Sequence, residues 1–133
     1  MGLRAGGAYA DIKPQRVLPN YNGTPLYAGD PEKLLQAHVI VCTDGETQVA
    51  ILSLDATFVG RDLVLRIRDE LQHRIGIDSG HVMIGATHSH HTPATAASFL
   101  AGAVPDPMYV DFLVDRIGDA AQRAAAGSNR PYS

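Results

Sequence analysis

The sequence predicts an α/β fold: a mixed β-sheet with a hairpin, a β-α-β crossover and at least two helices. Three observations predict it. Two β-rich apolar runs, 37–43 and 47–55, flank an Asp-Gly turn. A helical pattern over 60–76 follows the second run and leads into a third apolar run, 81–86. A second helical pattern follows Asp106-Pro107.

The 133 residues are expected to form one domain, with an irregular lead (1–36), an α/β core (37–127) and a tail (128–133). Residues 7–12 read as one short apolar strand, and 13–31 as a long loop with turns at Asn22-Gly23 and Asp30-Pro31. A loop of that length is usually functional or covers something. Residues 37–43 and 47–55 are expected to pair as an antiparallel hairpin through Asp44-Gly45, and the unbroken apolar centre of the second suggests burial on both faces. In the first helix Leu63, Ile67, Leu71 and Ile75 recur every fourth residue beside Val64, charges fill the other faces, and Gly76 stops it. Residues 81–86 read as a buried strand, and 94–104 are ambiguous between loop and short helix. Asp106 caps the second helix, which places Met108, Phe112, Val114, Ile117 and Ala121 near one face and ends at Gly127.

Composition narrows the function classes. Hydrophobic residues are 45%, charged residues 19% and the net charge is -3, with Lys13 and Lys33 the only lysines, so no basic patch exists for a nucleic-acid partner. Cys42 is the single cysteine, which rules out an internal disulfide, and its strand position makes it a small buried hydrophobe rather than a nucleophile. No apolar run is long enough for a transmembrane segment. No signal peptide is visible at the start, so a cytoplasmic protein is expected unless a leader was removed. Gly6-Gly7 precedes a strand rather than following one, unlike a phosphate loop.

The chemistry-bearing residues gather at one sheet edge. A β-α-β crossover makes its two strands parallel, so their carboxyl ends share a rim. Asp55 and Thr57 then emerge beside His88 and His90. In an extended segment positions i and i+2 face one side, so His88 and His90 can converge, while His91 faces away or reaches round a turn at Thr92-Pro93. Imidazoles in such a cluster suit a first-row metal or catalysis; the other option is a solvated polar rim. Asp55 can orient a ligating imidazole, bind metal itself, or serve the local backbone as a cap. Thr87 and Ser89 can hydrogen-bond a substrate or their own backbone. Solitary His38, His73 and His81 read as structural, and Tyr21, Tyr27 and Tyr109 as packing residues that can also line a pocket.

The segment 86–93, Ala-Thr-His-Ser-His-His-Thr-Pro, resembles the Ala-Thr-His-Thr-His-Ser-Gly-Pro motif of the neutral/alkaline non-lysosomal ceramidase family. The likeness extends over residues 5–126: Ala5-Gly6 through Asp11-Ile12-Lys13-Pro14 is similar to the family's opening, Ser53-Leu54-Asp55 to its S-x-D element, and Gly76-Ile77 with His81-Val82 to its entry to the key strand. The resemblance implies zinc-dependent hydrolysis of the ceramide amide to sphingosine and fatty acid, with His88 as metal ligand and His90 in the catalytic pocket. From its rim position, Asp55 is expected as an orienting residue or further ligand, and Thr87, Ser89 and His91 are candidates for the substrate side. His91 and Thr92 stand where the family has Ser-Gly, so a different or strained turn is expected there. The family's remaining zinc ligands lie far downstream, which implies one zinc ion completed from outside this chain and a chain that is only part of the catalytic unit. The expected partner is a lipid-like or other acyl-amide substrate. Family members are often secreted. Two alternatives stand beside this: a metal-dependent hydrolase of another amide or ester, and a non-catalytic interaction domain. A truncated sheet would expose an apolar surface, so self-association is expected with truncation.

Overall fold

Alternation along the strands decides the architecture. The computed structural model describes residues 2–26, 34–97 and 103–129. In chain order its elements are β1 (Arg4–Asp11), β2 (Leu18–Pro19), β3 (Pro25–Leu26), β4 (Gln36–Thr43), β5 (Gln48–Leu54), α1 (Arg61–Ile75), β6 (Val82–Ala86) and α2 (Pro107–Ser128). β1, β4, β5 and β6 form one sheet in that order, and β2 pairs with β3 in a small hairpin inside the lead. β4 is antiparallel to β1 and β5, while β6 is parallel to β5. The expected mixed sheet, hairpin and crossover are therefore present.

One face of the sheet is the core. Ala37, Val39 and Val41 of β4 and Ala50, Leu52 and Leu54 of β5 are buried with Leu63, Ile67 and Leu71 of α1 and Leu113, Ile117 and Ala121 of α2. The intervening strand residues point the other way. Ile51 is 46% exposed and Met83 66% exposed. Burial of residues 47–55 on both faces is thus corrected: the crossover helix and α2 both lie on the core side. The reading of 81–86 as a buried strand is corrected too. The strand starts at Val82, lies at the sheet edge, and buries only that residue. Cys42, on the open face, is half-buried rather than buried.

α1 follows its sequence pattern. Its stop is Gly76, at φ 67°, whose N–H bonds Gln72 O at 3.0 Å. α2 starts as expected, with the Asp106 carboxylate accepting the Tyr109 N–H at 2.9 Å. Its buried face holds Val114, Ile117 and Ala121 as expected, but Met108 is 72% exposed and Phe112 only partly buried, and Tyr109, Leu113, Gly118, Ala120, Ala124 and Ala125 join the buried face. Small residues win this face because the helix lies directly on β1. A Cβ on Gly6 would stand 2.1 Å from Ala124 O, so only glycine admits α2 at that distance. α2 also runs past Gly127 to Ser128.

The two helices are tied by Arg74. Its guanidinium bonds Glu70 at 2.7 Å, and Asp115 and Asp119 of α2 at 2.6 Å each. Gly118 leaves the space this needs, since a Cβ there would meet Arg74 Cζ at 2.8 Å. The hydrogen bonds it donates to Glu70 and Asp119 hold the guanidinium's pKa above its ordinary value.

Candidate functional site

The parallel pairing of Leu54 with Ala86 delivers two chain segments to one rim. Ladder-like bonds continue beyond both strands: Thr87 N–H donates to Leu54 O and His88 N–H to Ala56 O, each at 2.9 Å. A buried knot of hydroxyls then fixes the loop. Thr57 N–H donates to Thr92 Oγ1 at 3.2 Å, and the Thr57 hydroxyl donates to Ser89 O. The Thr92 hydroxyl also donates to Ser89 O, at 3.3 Å. Ala94 N–H donates to Pro19 O at 2.9 Å, and Asn20 Nδ2 to His90 O at 3.4 Å, which brings the β2–β3 hairpin onto the same loop.

His88 and His90 are brought together, by a different route from the one expected. Regular strand ends at Ala86, and His88 takes a left-handed conformation at φ 64°. Among the described residues it is the only non-glycine with positive φ. The convergence therefore comes from a turn at His88 rather than from strand alternation. The strain expected around His91 and Thr92 sits at His88 instead. A left-handed non-glycine costs roughly 1–2 kcal/mol, and such strain clusters at functional positions.

The ring geometry follows. His88 Nδ1 lies 2.9 Å from Thr57 O; a carbonyl only accepts, so Nδ1 carries the proton and the neutral ring keeps its lone pair on Nε2. The His90 ring stands 4.9 Å from the His88 ring at 74°. Tyr21 packs 4.8 Å from the His90 ring, and its hydroxyl lies 3.4 Å from Nδ1. Phe58 meets His88 edge-on at 5.4 Å and Tyr21 at 6.2 Å. Both histidines are exposed, so the pair opens to solvent with an aromatic wall behind it.

The other residues singled out from the sequence are held by strand ends, by the core or by solvent. Asp55 braces strand ends: its carboxylate accepts the Gln36 N–H at 2.9 Å and the Thr87 hydroxyl at 3.1 Å. That commits the Thr87 hydroxyl as well. Ser89 Oγ accepts the His91 N–H at 3.4 Å, and His91 is exposed. Tyr109 is buried in the core, where its hydroxyl donates to Ile12 O at 2.8 Å. Burial, then the charges of Asp11 and Asp55, push its pKa up. His38, His73 and His81 are exposed and lie outside this rim cluster. Tyr27 and the Asp30-Pro31 turn lie outside the described residues.

Asn20 and Phe58 were not singled out, and Thr92 was named only for the turn after the histidines. Asn20 carried a signal in Asn20-Tyr21-Asn22-Gly23, because its side chain accepts the N–H groups of Asn22 and Thr24 at 3.0 Å each, an Asx-type turn. Phe58 and the hydroxyl of Thr92 carried none, because their roles depend on contacts across 30 residues or more. The donor set is two imidazoles. Among the described residues, no group of three or more His, Cys, Asp or Glu side chains forms a metal cradle.

No protein-family model and no curated protein matches this chain. Solved structures do. A neutral ceramidase from Pseudomonas aeruginosa superposes with a TM-score of 0.77 at 19% identity over 94% of this chain. The chain folds as part of a neutral ceramidase does. A ceramidase complexed with C2 gives the same TM-score at 20% identity and the same coverage. The chain spans 22% and 21% of the length of those two ceramidase chains.

Proposed function

We propose that this chain supplies one wall of a zinc-dependent amide-hydrolase site of the ceramidase kind, acting on a lipid-like or other acyl amide. One observation carries the reading. At a strained backbone position, His88 has one ring nitrogen tied to a carbonyl, and its other nitrogen is partnerless among the described residues. That is how ligating imidazoles are usually oriented. The ceramidase fold supports the same reading.

His88 would hold the metal through Nε2. His90, beside it, would touch the substrate and hold or deliver a proton at the amide. Tyr21 and Phe58 exclude water from the back of both rings. Asp55 acts at one remove, pinning Thr87 and with it the start of the loop. Ser89 and His91 would face the substrate. Bound zinc lowers the pKa of its water to about 7 and polarises the carbonyl under attack. A catalytic zinc site uses three protein ligands and an open position, so two imidazoles fit part of such a site. The rest would come from beyond the described residues.

The test is zinc titration by calorimetry, followed by turnover assays on a fluorescent ceramide and on short soluble amides. The wild-type chain should bind zinc, and His88→Ala should weaken binding about tenfold or more. Equal zinc affinity in the two proteins would remove the reading. Turnover of short amides but not ceramide would keep the metal site and reassign the substrate.

A further inference from the structure

The left-handed turn at His88 needs an anchor, because a strained residue persists only where its surroundings over-determine it. Two bonds hold it. The His88 N–H donates to Ala56 O and its ring Nδ1 to Thr57 O, each at 2.9 Å. These carbonyls belong to successive peptide groups in a segment that has already left β5. Their grip on His88 is only as firm as that segment's own attachment.

Thr92 supplies the attachment. The Ala56–Thr57 peptide group is bonded at both ends to the histidine loop: its carbonyl takes the His88 N–H, and its N–H goes to Thr92 Oγ1 at 3.2 Å. The Thr92 hydroxyl donates its own proton to Ser89 O at 3.3 Å, where the Thr57 hydroxyl also donates. A hydroxyl offers one proton and two lone pairs. Thr92 uses the proton and a lone pair, and closes a ring that runs from Thr57 N–H through its own oxygen to Ser89 O and back to Thr57 Oγ1. That ring is sealed from solvent, with Thr92 0% and Thr57 4% exposed.

We propose that Thr92 is a positioning residue for His88, a role that rests on the metal reading of that imidazole. Its hydroxyl fixes the Ala56–Thr57 peptide group. The fixed segment presents Thr57 O to the His88 ring, which keeps the proton on Nδ1 and the lone pair on Nε2, the atom that would take the metal. The motif that residues 86–93 resemble has glycine at this place, so the device belongs to this chain's own Thr92. A β-branched side chain suits the task, since its χ1 is restricted. Without the hydroxyl, Thr57 N–H becomes a buried donor with no partner, and the segment relieves that by turning. His88 then loses the carbonyl that selects its tautomer, and its proton exchanges between the two ring nitrogens.

Long-range proton–nitrogen NMR on the zinc-free full chain reads the tautomer directly. Spectra are recorded at about pH 8, above the ordinary imidazole range, and the His88 signals are identified by their loss in His88→Ala. Circular dichroism checks that each variant is folded. Wild type should show a single Nδ1–H tautomer. Thr92→Val, which exchanges hydroxyl for methyl, should show a mixture, and calorimetry should find its zinc affinity about tenfold weaker or more. Thr92→Ser, which restores the hydroxyl, should recover both. Should Thr92→Val not fold, Thr92→Gly removes the hydroxyl without burying a methyl, and the same mixture is expected of it. A folded variant without the hydroxyl that keeps the single wild-type tautomer would overturn the proposal, as would a loss that Thr92→Ser does not recover. An Nε2–H tautomer in wild type would overturn it as well. Failure of the metal reading looks different: the tautomer responds as expected while no protein, wild type included, binds zinc. That result keeps the positioning role and removes the metal.

Discussion

His88 concentrates the argument at the scale of single residues. Its side chain bonds Thr57 O, while its backbone occupies a region that L-residues avoid. Comparing His88→Ala with His88→Gly separates the two, since both lose the ring and only glycine loses the strain. His88→Gly should be the more stable by about 1 kcal/mol in urea unfolding; equal stabilities would mean the position is unstrained. The cluster itself was legible, because three histidines in four residues after an apolar run is a strong local signal. The conformation that makes it converge was not. Nothing in Thr87-His88-Ser89 announces a left-handed residue, and the bonds that impose it come from Ala56 and Thr57, on another strand's exit. Asp55 was legible as a rim residue, but both of its partners, Gln36 and Thr87, are set by sheet register.

At the scale of elements, caps were easy to read and faces were not. Asp106-Pro107 announces the start of α2, and the structure places the Asp106 carboxylate on the Tyr109 N–H and on the Arg16 guanidinium. These contacts, the Tyr109 bond foremost, hold its pKa below the usual carboxylate value. A lowered folded-state pKa contributes stability above the unfolded value, and that contribution is lost as pH falls through the folded one. Asp106→Ala should therefore melt earlier than wild type at neutral pH. The gap should close as the pH drops below about 4, the ordinary carboxylate range. Thermal melts by circular dichroism across that window check it, and a constant gap would deny the cap its charge. The buried face of α2 was read correctly at Val114, Ile117 and Ala121 but misread at Met108 and Phe112, because large apolar residues were taken as the marker of the core. Where a helix lies this close to a strand, the core residues are the small ones. Gly6→Ala drives a Cβ into Ala124 O and should cost about 1–3 kcal/mol or more in denaturant unfolding, since the obstacle is backbone that cannot swing aside. A neutral substitution would mean the helix does not rest on that strand.

For the molecule as a whole, the sequence specified which strands pair but not how many faces are covered. Val49 and Ile51 are as apolar as Ala50 and Leu52, so composition along 47–55 cannot say that one set meets helices and the other does not. Only the placement of α1 and α2 on a single side reveals it. The same placement has a temporal consequence. β1 begins at Arg4, yet it is held by Ala124 and Gly127 of α2 and by Arg123, whose guanidinium donates to Tyr9 O. These contacts span nearly the whole chain, the kind of non-local pairing that slows folding. During synthesis the opening strand can find β4 early, but its inner side must wait for the last turns of α2 to leave the ribosome. Until then, the nascent chain has two bare sides rather than one.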